Sequence, residues 1–554
     1  MSTLLKIYLS VLALLPLAVF SQSHQSWSYN KSIYEVNVRQ YTEAGTFAAF
    51  ETHLERLQDM GVGILWFMPI HPIGEKNRLG SLGSYYSVKD YLAVNPEFGE
   101  MDDFKALVAR VHDMGMYVII DWVANHTAWD NPLTLTHPDW YSTDADGNFI
   151  PPPGTNWSDV IDLDYSQPEL RQYMIDAMKF WVEQADIDGF RCDAASWVPL
   201  DFWKDAIDEL RALKPEIFML AEADGQQFRN AGFDMTYAWG YHGFGNGILN
   251  RLTNGTNHAK ELADFISVEQ KKYPGAHYRM YFTSNHDENS WHGTVFEQFG
   301  CAAESFAVLT CLLNGMPLIY SGQEAGLDKR LLFFDKDQIE WQEHPFAAIY
   351  STLLHLKQEN KALWNGESGG KVQRVMTSNN EDLFAFWRKN DKDMVFALFN
   401  LSANPLDVAV DDSSVYGLYR GVFTDDSVTF DSQASVKLAG WDYKVFEKVI
   451  MPTGVKADKA SGKGNAFSQS FPNPFNLNTE IRFYLPRDEN ITVAVYNSRG
   501  NLVKMLYSEF APSGFHSIMW DSRNTAGEEM ASGAYFYRIL SQSCNMTGNM
   551  ILVK

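Results

Sequence analysis

Arg191 and Asp193 stand two residues apart in the run DGFRCDAAS, so in an extended strand both side chains leave the same face. A guanidinium beside a carboxylate keeps it ionised by lowering its pKa. An ionised, oriented carboxylate is the nucleophile that covalent glycosyl transfer requires. Three further apolar runs end in polar chemistry: YVIIDWVANH carries Asp121 and His126, IFMLAEAD carries Glu222, and RMYFTSNHDEN carries His286 and Asp287. Carboxylates gathered this closely must leave one with a raised pKa, and Glu222 is the natural general acid, then base. Asp287 is suited to orient sugar hydroxyls and to favour positive charge at an anomeric carbon. Any one of these acids could simply cap a helix or satisfy a loop. Together, at four strand ends, they point to a glycosidase. A divalent-metal hydrolase would call for two or more closely spaced histidines, whereas His126 and His286 each stand alone beside an acidic strand end.

Eight apolar runs supply the elements that position these groups: IYEVNV, GILWFMPI, MYVIIDWV, DGFRCD, IFMLAE, DMTYAW, YRMYFTSN and PLIYSG. Unbroken apolar runs are what strands buried on both faces look like. Amphipathic stretches such as FAAFETHLERLQDMG and MDDFKALVARVHDMG lie between them, the second ending at a glycine suited to a helix C-cap. The alternation predicts an α/β fold, a TIM barrel over residues 22–365, whose chemistry sits where the strands emerge. After the third strand, residues 127–165 are rich in Pro, Asp, Gly, Asn and Trp, and a connection that long is usually functional. Most tryptophans read as core, but Trp129, Trp140 and Trp157 in it are the candidates for extra sugar-binding platforms, since loops expose what they carry. Residues 366–450 alternate as an antiparallel β domain, 451–465 read as a linker, and 466–554 predict an immunoglobulin-like sandwich.

A formal charge of -24, from 45 basic and 69 acidic residues, leaves no basic stripe for nucleic acid. Lys6 followed by IYLSVLALLPLAVF and the cut-like Val19-Phe20-Ser21 predict a signal peptide over residues 1–21, hence export, with no transmembrane segment elsewhere. The four cysteines match neither a zinc site nor a disulfide framework, so stability must come from core packing.

DWVANHT, GFRCDAAS, LAEAD and TSNHDE also follow the order and spacing of the four signature regions of glycoside hydrolase family 13, the α-amylase family, which this chain resembles. The resemblance implies a (β/α)8 barrel with a loop domain after strand three, a β C-terminal domain, and retaining cleavage of α-glucosidic bonds. It implies Asp193 as nucleophile, Glu222 as acid/base and Asp287 as transition-state stabiliser. Arg191, His126 and His286, with Asp121, would bind the sugar at the cleavage site, and Tyr85 in GSYYSVKDY would stack on it. No cofactor is implied for the chemistry. Asn125 and Asp164 resemble two ligands of the family's structural calcium site, whose oxygen donors suit that ion. The family often has Lys-His after the nucleophile strand, where this chain has Ser196-Trp197, a departure at a carbonyl ligand and a substrate-binding lysine.

The segments FPNPFNLNTEIRFYLP, YNSRGNLVKML and WDSRNTAGEEMASGAYFYRI resemble the tail domains of type IX secretion substrates and the flagellar-hook-capping immunoglobulin-like domain. That resemblance implies a sorting role with secretion machinery as partner, delivering the protein outside the cell or to its surface. The leading expectation is thus a secreted endo-acting α-amylase on starch, glycogen or maltooligosaccharides. A cyclomaltodextrinase or neopullulanase, an α-glucosidase or a transglycosylase remain open on the same scaffold. A catalytically dead binding protein would be expected to have lost Asp193, Glu222 or Asp287, and all three are present. A surface glycan-anchoring protein would bind glucan through residues 466–554 alone.

Overall fold

Eight parallel strands close into a barrel in the computed structural model, which describes residues 24–274, 277–424, 426–449, 467–485, 487–541 and 545–554. The predicted signal peptide and the predicted linker lie outside the described residues. The strands are β1 (Ile33–Val36), β2 (Ile64–Phe67), β3 (Tyr117–Val123), β4 (Gly189–Asp193), β5 (Phe218–Ala221), β6 (Met235–Tyr237), β7 (Tyr278–Tyr281) and β8 (Met316–Tyr320). Seven fall within a predicted run and β8 starts one residue before PLIYSG; each pairs with its neighbours in chain order, and β8 returns to β1 through Ile33 opposite Leu318. The apolar runs are continuous because these strands are buried on both faces. Ile64, Trp66, Leu220, Met235 and Met280 fill part of the barrel core, each worth about 1.5–3 kcal/mol on burial. At the start of β4 only glycine fits, because a Cβ on Gly189 would meet the Phe218 carbonyl oxygen at 2.0 Å.

Register then sets the height of the chemistry. Asp121 lies opposite Arg191 and Val123 opposite Asp193 across β3 and β4. Cys192 lies opposite Ala221 across β4 and β5, and the Glu222 N–H continues that ladder to the Cys192 carbonyl at 3.0 Å. Asp121, Arg191, Asp193 and Glu222 therefore arrive at one rim.

The predicted helix over MDDFKALVARVHDMG spans Met101–Asp113, followed by Gly115 at φ 76°. FAAFETHLERLQDMG forms two shorter helices, Phe47–Glu51 and Leu54–Met60, the second stopped by Gly61 at φ 91°. In the long connection after β3, His126–Ala128 pairs antiparallel with Val160–Asp162. That ribbon pins both ends of the excursion to the rim. Val295–Leu312 is the one stretch among the described residues long and apolar enough to cross a membrane. It forms two helices, Val295–Phe299 and Ala303–Leu312, and the second is buried at every position but Glu304.

The chain divides into two compact units. The first holds the barrel and runs to Val372, with Arg388–Asp391; the second holds Gln373–Trp387 and Lys392–Lys554. In the second, a six-stranded sheet and a two-stranded sheet share a core that includes Phe396, Leu398, Val408, Tyr419 and Phe446. Further along, a three-stranded sheet (Phe467–Phe471, Thr479–Leu485, Gly514–Trp520) and a four-stranded sheet (Glu489–Asn497, Leu502–Ala511, Gly533–Leu540, Asn545–Leu552) enclose Trp520, Phe483, Val493 and Tyr537. Strict alternation of buried and open positions along Thr479–Leu485 is what a two-sheet sandwich requires.

Candidate active site

Arg191 is the hub of the rim. Its guanidinium has no solvent exposure and lies 5.1 Å from the Trp66 ring centroid and 5.8 Å from those of Tyr86 and Tyr237. Nη1 donates to Asp121 Oδ1 and to Asp193 Oδ1, both at 2.9 Å, and Nε donates to Tyr237 Oη at 3.2 Å. Nη2 lies 2.9 Å from Glu222 Oε2, in ion-pair range but not aligned for a hydrogen bond. One buried cation thus faces three carboxyl groups, a surplus of negative charge that some protonation must relieve.

The electrostatics divide that surplus. Burial pushes Glu222 up to about 7, against the opposing pull of Arg191. Burial also raises Asp193, to about 6, with Arg191 opposing it and Asp121 adding to it. This corrects the expectation that the adjacent guanidinium would lower Asp193: desolvation and like charges outweigh one shared cation. At pH 7 Asp193 is still mostly ionised, and Glu222 is protonated in a large fraction of molecules. Those are the states a nucleophile and a general acid need.

Local backbone holds the pair together. Ala194, directly after β4, adopts a left-handed conformation at φ 42°, which a side-chain-bearing residue adopts only when its surroundings enforce it. Its N–H donates to Glu222 Oε2 at 2.7 Å.

His286 forms the opposite wall. Its Nδ1 contacts Glu35 Oε1 at 2.5 Å, while Nε2 lies 2.8 Å from Tyr86 Oη and 3.4 Å from Asp287 Oδ2. Burial alone would lower its pKa, but Asp287 and Glu35 carry it up to about 9, so the ring is an imidazolium at neutral pH. Tyr86 Oη in turn donates to Asp121 Oδ2 at 3.1 Å, and Trp66 Nε1 donates to the same oxygen at 3.2 Å. His126 is the converse case: burial lowers it to about 4 and keeps it neutral.

These groups border a cavity of about 930 Å³ lined by Asp193, Glu222 and Asp287 together with His126, His286 and Tyr86. The three acid side chains open to it by 11%, 16% and 34%, respectively. Such a volume accommodates several sugar rings. Among the described lining residues there is no lysine or arginine.

Several sequence expectations are corrected here. Tyr85 does not line the cavity; it is buried, with its hydroxyl on Asn37 Oδ1 at 3.0 Å and its ring under Arg39. The neighbouring Tyr86 takes the place beside His286. Asp121 and Arg191 are fully buried beneath the lining, so they brace Tyr86, Asp193 and Glu222 rather than touch a ligand from this position. Of the three loop tryptophans, Trp157 lines the cavity, Trp140 is buried, and Trp129 donates to the Ser158 carbonyl away from the lining. Sequence reasoning missed Glu35, although an acid inside the apolar run IYEVNV was its signal. It also missed the aromatic lining formed by Trp197, Trp239, Phe244, Trp291 and Phe333.

Asn125 and Asp164 lie close together, with the Leu163 N–H donating to the Asn125 carbonyl oxygen at 3.1 Å. Both Asp164 oxygens accept local bonds, from Ser166 N–H at 2.9 Å and Gln167 Nε2 at 3.3 Å, before the helix Pro168–Ala185. Asn125 Nδ2 lies 3.4 Å from His126 Nδ1. Among the described residues no group of three His, Cys, Asp or Glu side chains converges as a metal site, a set that leaves out the Asn and main-chain oxygens calcium also uses.

A pH profile follows directly. If Asp193 must be ionised and Glu222 protonated, activity falls as pH drops through about 6 and again as it rises through about 7. Because both groups share Arg191, each limb belongs to the cluster rather than to one residue. kcat/KM on a maltooligosaccharide is expected to be a narrow bell with its maximum between those values. A profile flat across both would contradict the assignment.

Residues 20–393 match the alpha-amylase catalytic-domain family, and residues 475–543 match the FlgD immunoglobulin-like domain family. A noncanonic maltogenic alpha-amylase from Thermotoga neapolitana superposes with a TM-score of 0.68 at 32% identity, over 76% of this chain and 99% of that one. A maltogenic alpha-amylase from Bacillus acidopullulyticus is 23% identical over 420 residues, covering 71% of this chain and 69% of the relative. An alpha-1,4-glucan:maltose-1-phosphate maltosyltransferase from Pseudomonas aeruginosa is 26% identical over 358 residues, 58% of this chain and 51% of that protein.

Proposed function

The chain belongs to the alpha-amylase family of glycoside hydrolases, and from that premise we propose that it is a retaining enzyme cleaving α-1,4-glucosidic bonds of starch, glycogen or maltooligosaccharides. The observation that carries this reading is the convergence of Asp193, Glu222 and Asp287 on one cavity, with Arg191 binding the first and Ala194 N–H holding the second. Glu222 protonates the departing glycosidic oxygen while Asp193 bonds to the anomeric carbon. Water, deprotonated by the Glu222 carboxylate, then displaces Asp193. Asp287 and the ring of Tyr86 hold the sugar whose bond breaks, and the His286 imidazolium offers it a charged donor.

Maltosyl transfer involving maltose-1-phosphate is the alternative suggested by the name of the Pseudomonas aeruginosa relative. It is disfavoured by a lining that carries carboxylates and no lysine or arginine, since phosphate recognition draws on such cations. The apolar leader-like segment and the C-terminal sandwich support export as part of the same proposal, with the sandwich serving in sorting. Incubating the purified chain with maltoheptaose and with soluble starch is expected to yield short maltooligosaccharides. No turnover of either glucan would overturn the substrate assignment.

A further inference from the structure

Asp287 is followed at once by a rare element. Glu288–His292 is a π-helical turn, closed by the Gly293 N–H on the Glu288 carbonyl at 2.9 Å. Such turns are uncommon and concentrate at functional sites. Three consecutive side chains of this one reach out to neighbouring connections. Asn289 Nδ2 donates to the Lys329 carbonyl at 3.0 Å, and its Oδ1 accepts from the Leu331 N–H at 2.9 Å. Ser290 Oγ donates to the Leu331 carbonyl, also at 2.9 Å. Those bonds fix the stretch that leads into Phe333 and Phe334, both on the cavity lining.

Glu288 reaches toward a different connection, the one after β6. Its side chain is 1% exposed, and Oε1 accepts the N–H of Phe244. Phe244 sits at φ 54°, between Gly243 and Gly245. A phenylalanine holds that left-handed backbone only where its surroundings enforce it, and the Glu288 carboxyl is an enforcing contact. The Phe244 ring is 64% exposed, stacks on Trp239 with centroids 4.7 Å apart, and lines the cavity.

The second oxygen of Glu288 is not explained by stability. Among the described residues Oε2 has no hydrogen-bond partner. It lies 3.3 Å from His292 Nδ1 and 3.6 Å from His242 Nε2, neither aligned for a bond. Burial pushes the Glu288 carboxyl up, with His292 opposing. A buried carboxyl with one oxygen unsatisfied costs stability, and a group placed at that cost calls for a role.

Resting on the glucan reading above, we infer that Glu288 is a positioning residue: from the turn that starts at Asp287 it latches Phe244 in its strained conformation, and so sets the aromatic wall against which the substrate chain binds. Glu288 does not itself line the cavity, so it acts through Phe244.

Two readouts test the latch. Hydrogen–deuterium exchange of the purified full chain, resolved to the Phe244 amide, should show that amide protected in the wild type. Glu288→Ala should speed its exchange about ten- to hundredfold, the scale of one hydrogen bond to a charged group. On maltoheptaose the same variant should raise KM about tenfold, the scale of one misplaced aromatic contact, with a smaller loss in kcat. Glu288→Gln keeps an oxygen for the Phe244 N–H and should restore most of both. A wild-type Phe244 amide that exchanges as freely as an unstructured one would overturn the latch, and that result needs no variant to fold. So would Glu288→Ala with exchange and KM unchanged, or Glu288→Gln as impaired as Glu288→Ala. A loss confined to kcat would place Glu288 behind Asp287 instead and overturn its action through Phe244. A wild type that turns over no glucan would contradict the glucan reading, and with it the substrate wall, while exchange alone would still decide the latch.

Discussion

Asp193→Asn is expected to lower kcat on maltooligosaccharides by on the order of 10⁵-fold, the scale on which enzymes lose activity when the covalent nucleophile is removed. The same substitution should leave the fold intact and raise its stability. Arg191 keeps Asp121 at 2.9 Å and Glu222 in ion-pair range, so its buried charge is not orphaned. The sign follows from linkage. The Asp193 carboxyl titrates near 3.8 when unfolded and near 6 in place, so the folded protein holds its proton more tightly. Ionised Asp193 therefore costs stability, a cost that sets in between those two pH values and is complete above both, on the order of 1–3 kcal/mol. At neutral pH the asparagine variant should melt several degrees above the wild type, and near pH 4 most of that advantage should vanish. Thermal melts at both pH values, run beside the activity assay, check this. A variant that is inactive and also unstable would point to Asp193 as a structural ion-pair partner instead.

Glu222→Gln carries the second large effect. With a sugar leaving group, loss of the acid should cost about 10²–10⁴-fold in kcat. With α-maltosyl fluoride the first step needs no proton, so that loss should shrink. The second step, deprived of its base, should then lag, and a glycosyl-enzyme should accumulate on Asp193. Intact-protein mass spectrometry would register one added maltosyl unit. The falling limb of the pH profile near 7 should vanish once Glu222 is removed from the cluster that produces it. A variant equally impaired on both donors, with no adduct, would show that Glu222 does not act as the proton donor.

The barrel was legible because strands buried on both faces leave unbroken apolar runs, and the first polar residue after each run marks the rim. That pattern carries Asp193, Glu222 and Asp287 into one cavity. What sequence could not order was whatever depended on loops or on dielectric. Tyr85 and Tyr86 are adjacent in a segment without periodicity, and only the fold shows that the first turns toward Arg39 and the second toward His286. The pull of Arg191 on Asp193 was visible as spacing, but the burial that outweighs it was not. Trp197 stood out in sequence only as a departure from the family pattern, and Trp157, which stacks on it, lies in a connection whose path is set by the ribbon of His126–Ala128 and Val160–Asp162. The local bonds of Asp164, from the Ser166 N–H and Gln167 Nε2, were likewise beyond a reading of residue types alone.

The central claim is a double displacement through Asp193, and the anomeric form of the first product tests it most directly. Proton NMR of maltoheptaose during the first minutes of cleavage should show newly formed reducing ends as the α-anomer, with β appearing only at the rate of mutarotation. β-Anomer formed first would mean a single displacement by water, and Asp193 would not be the nucleophile.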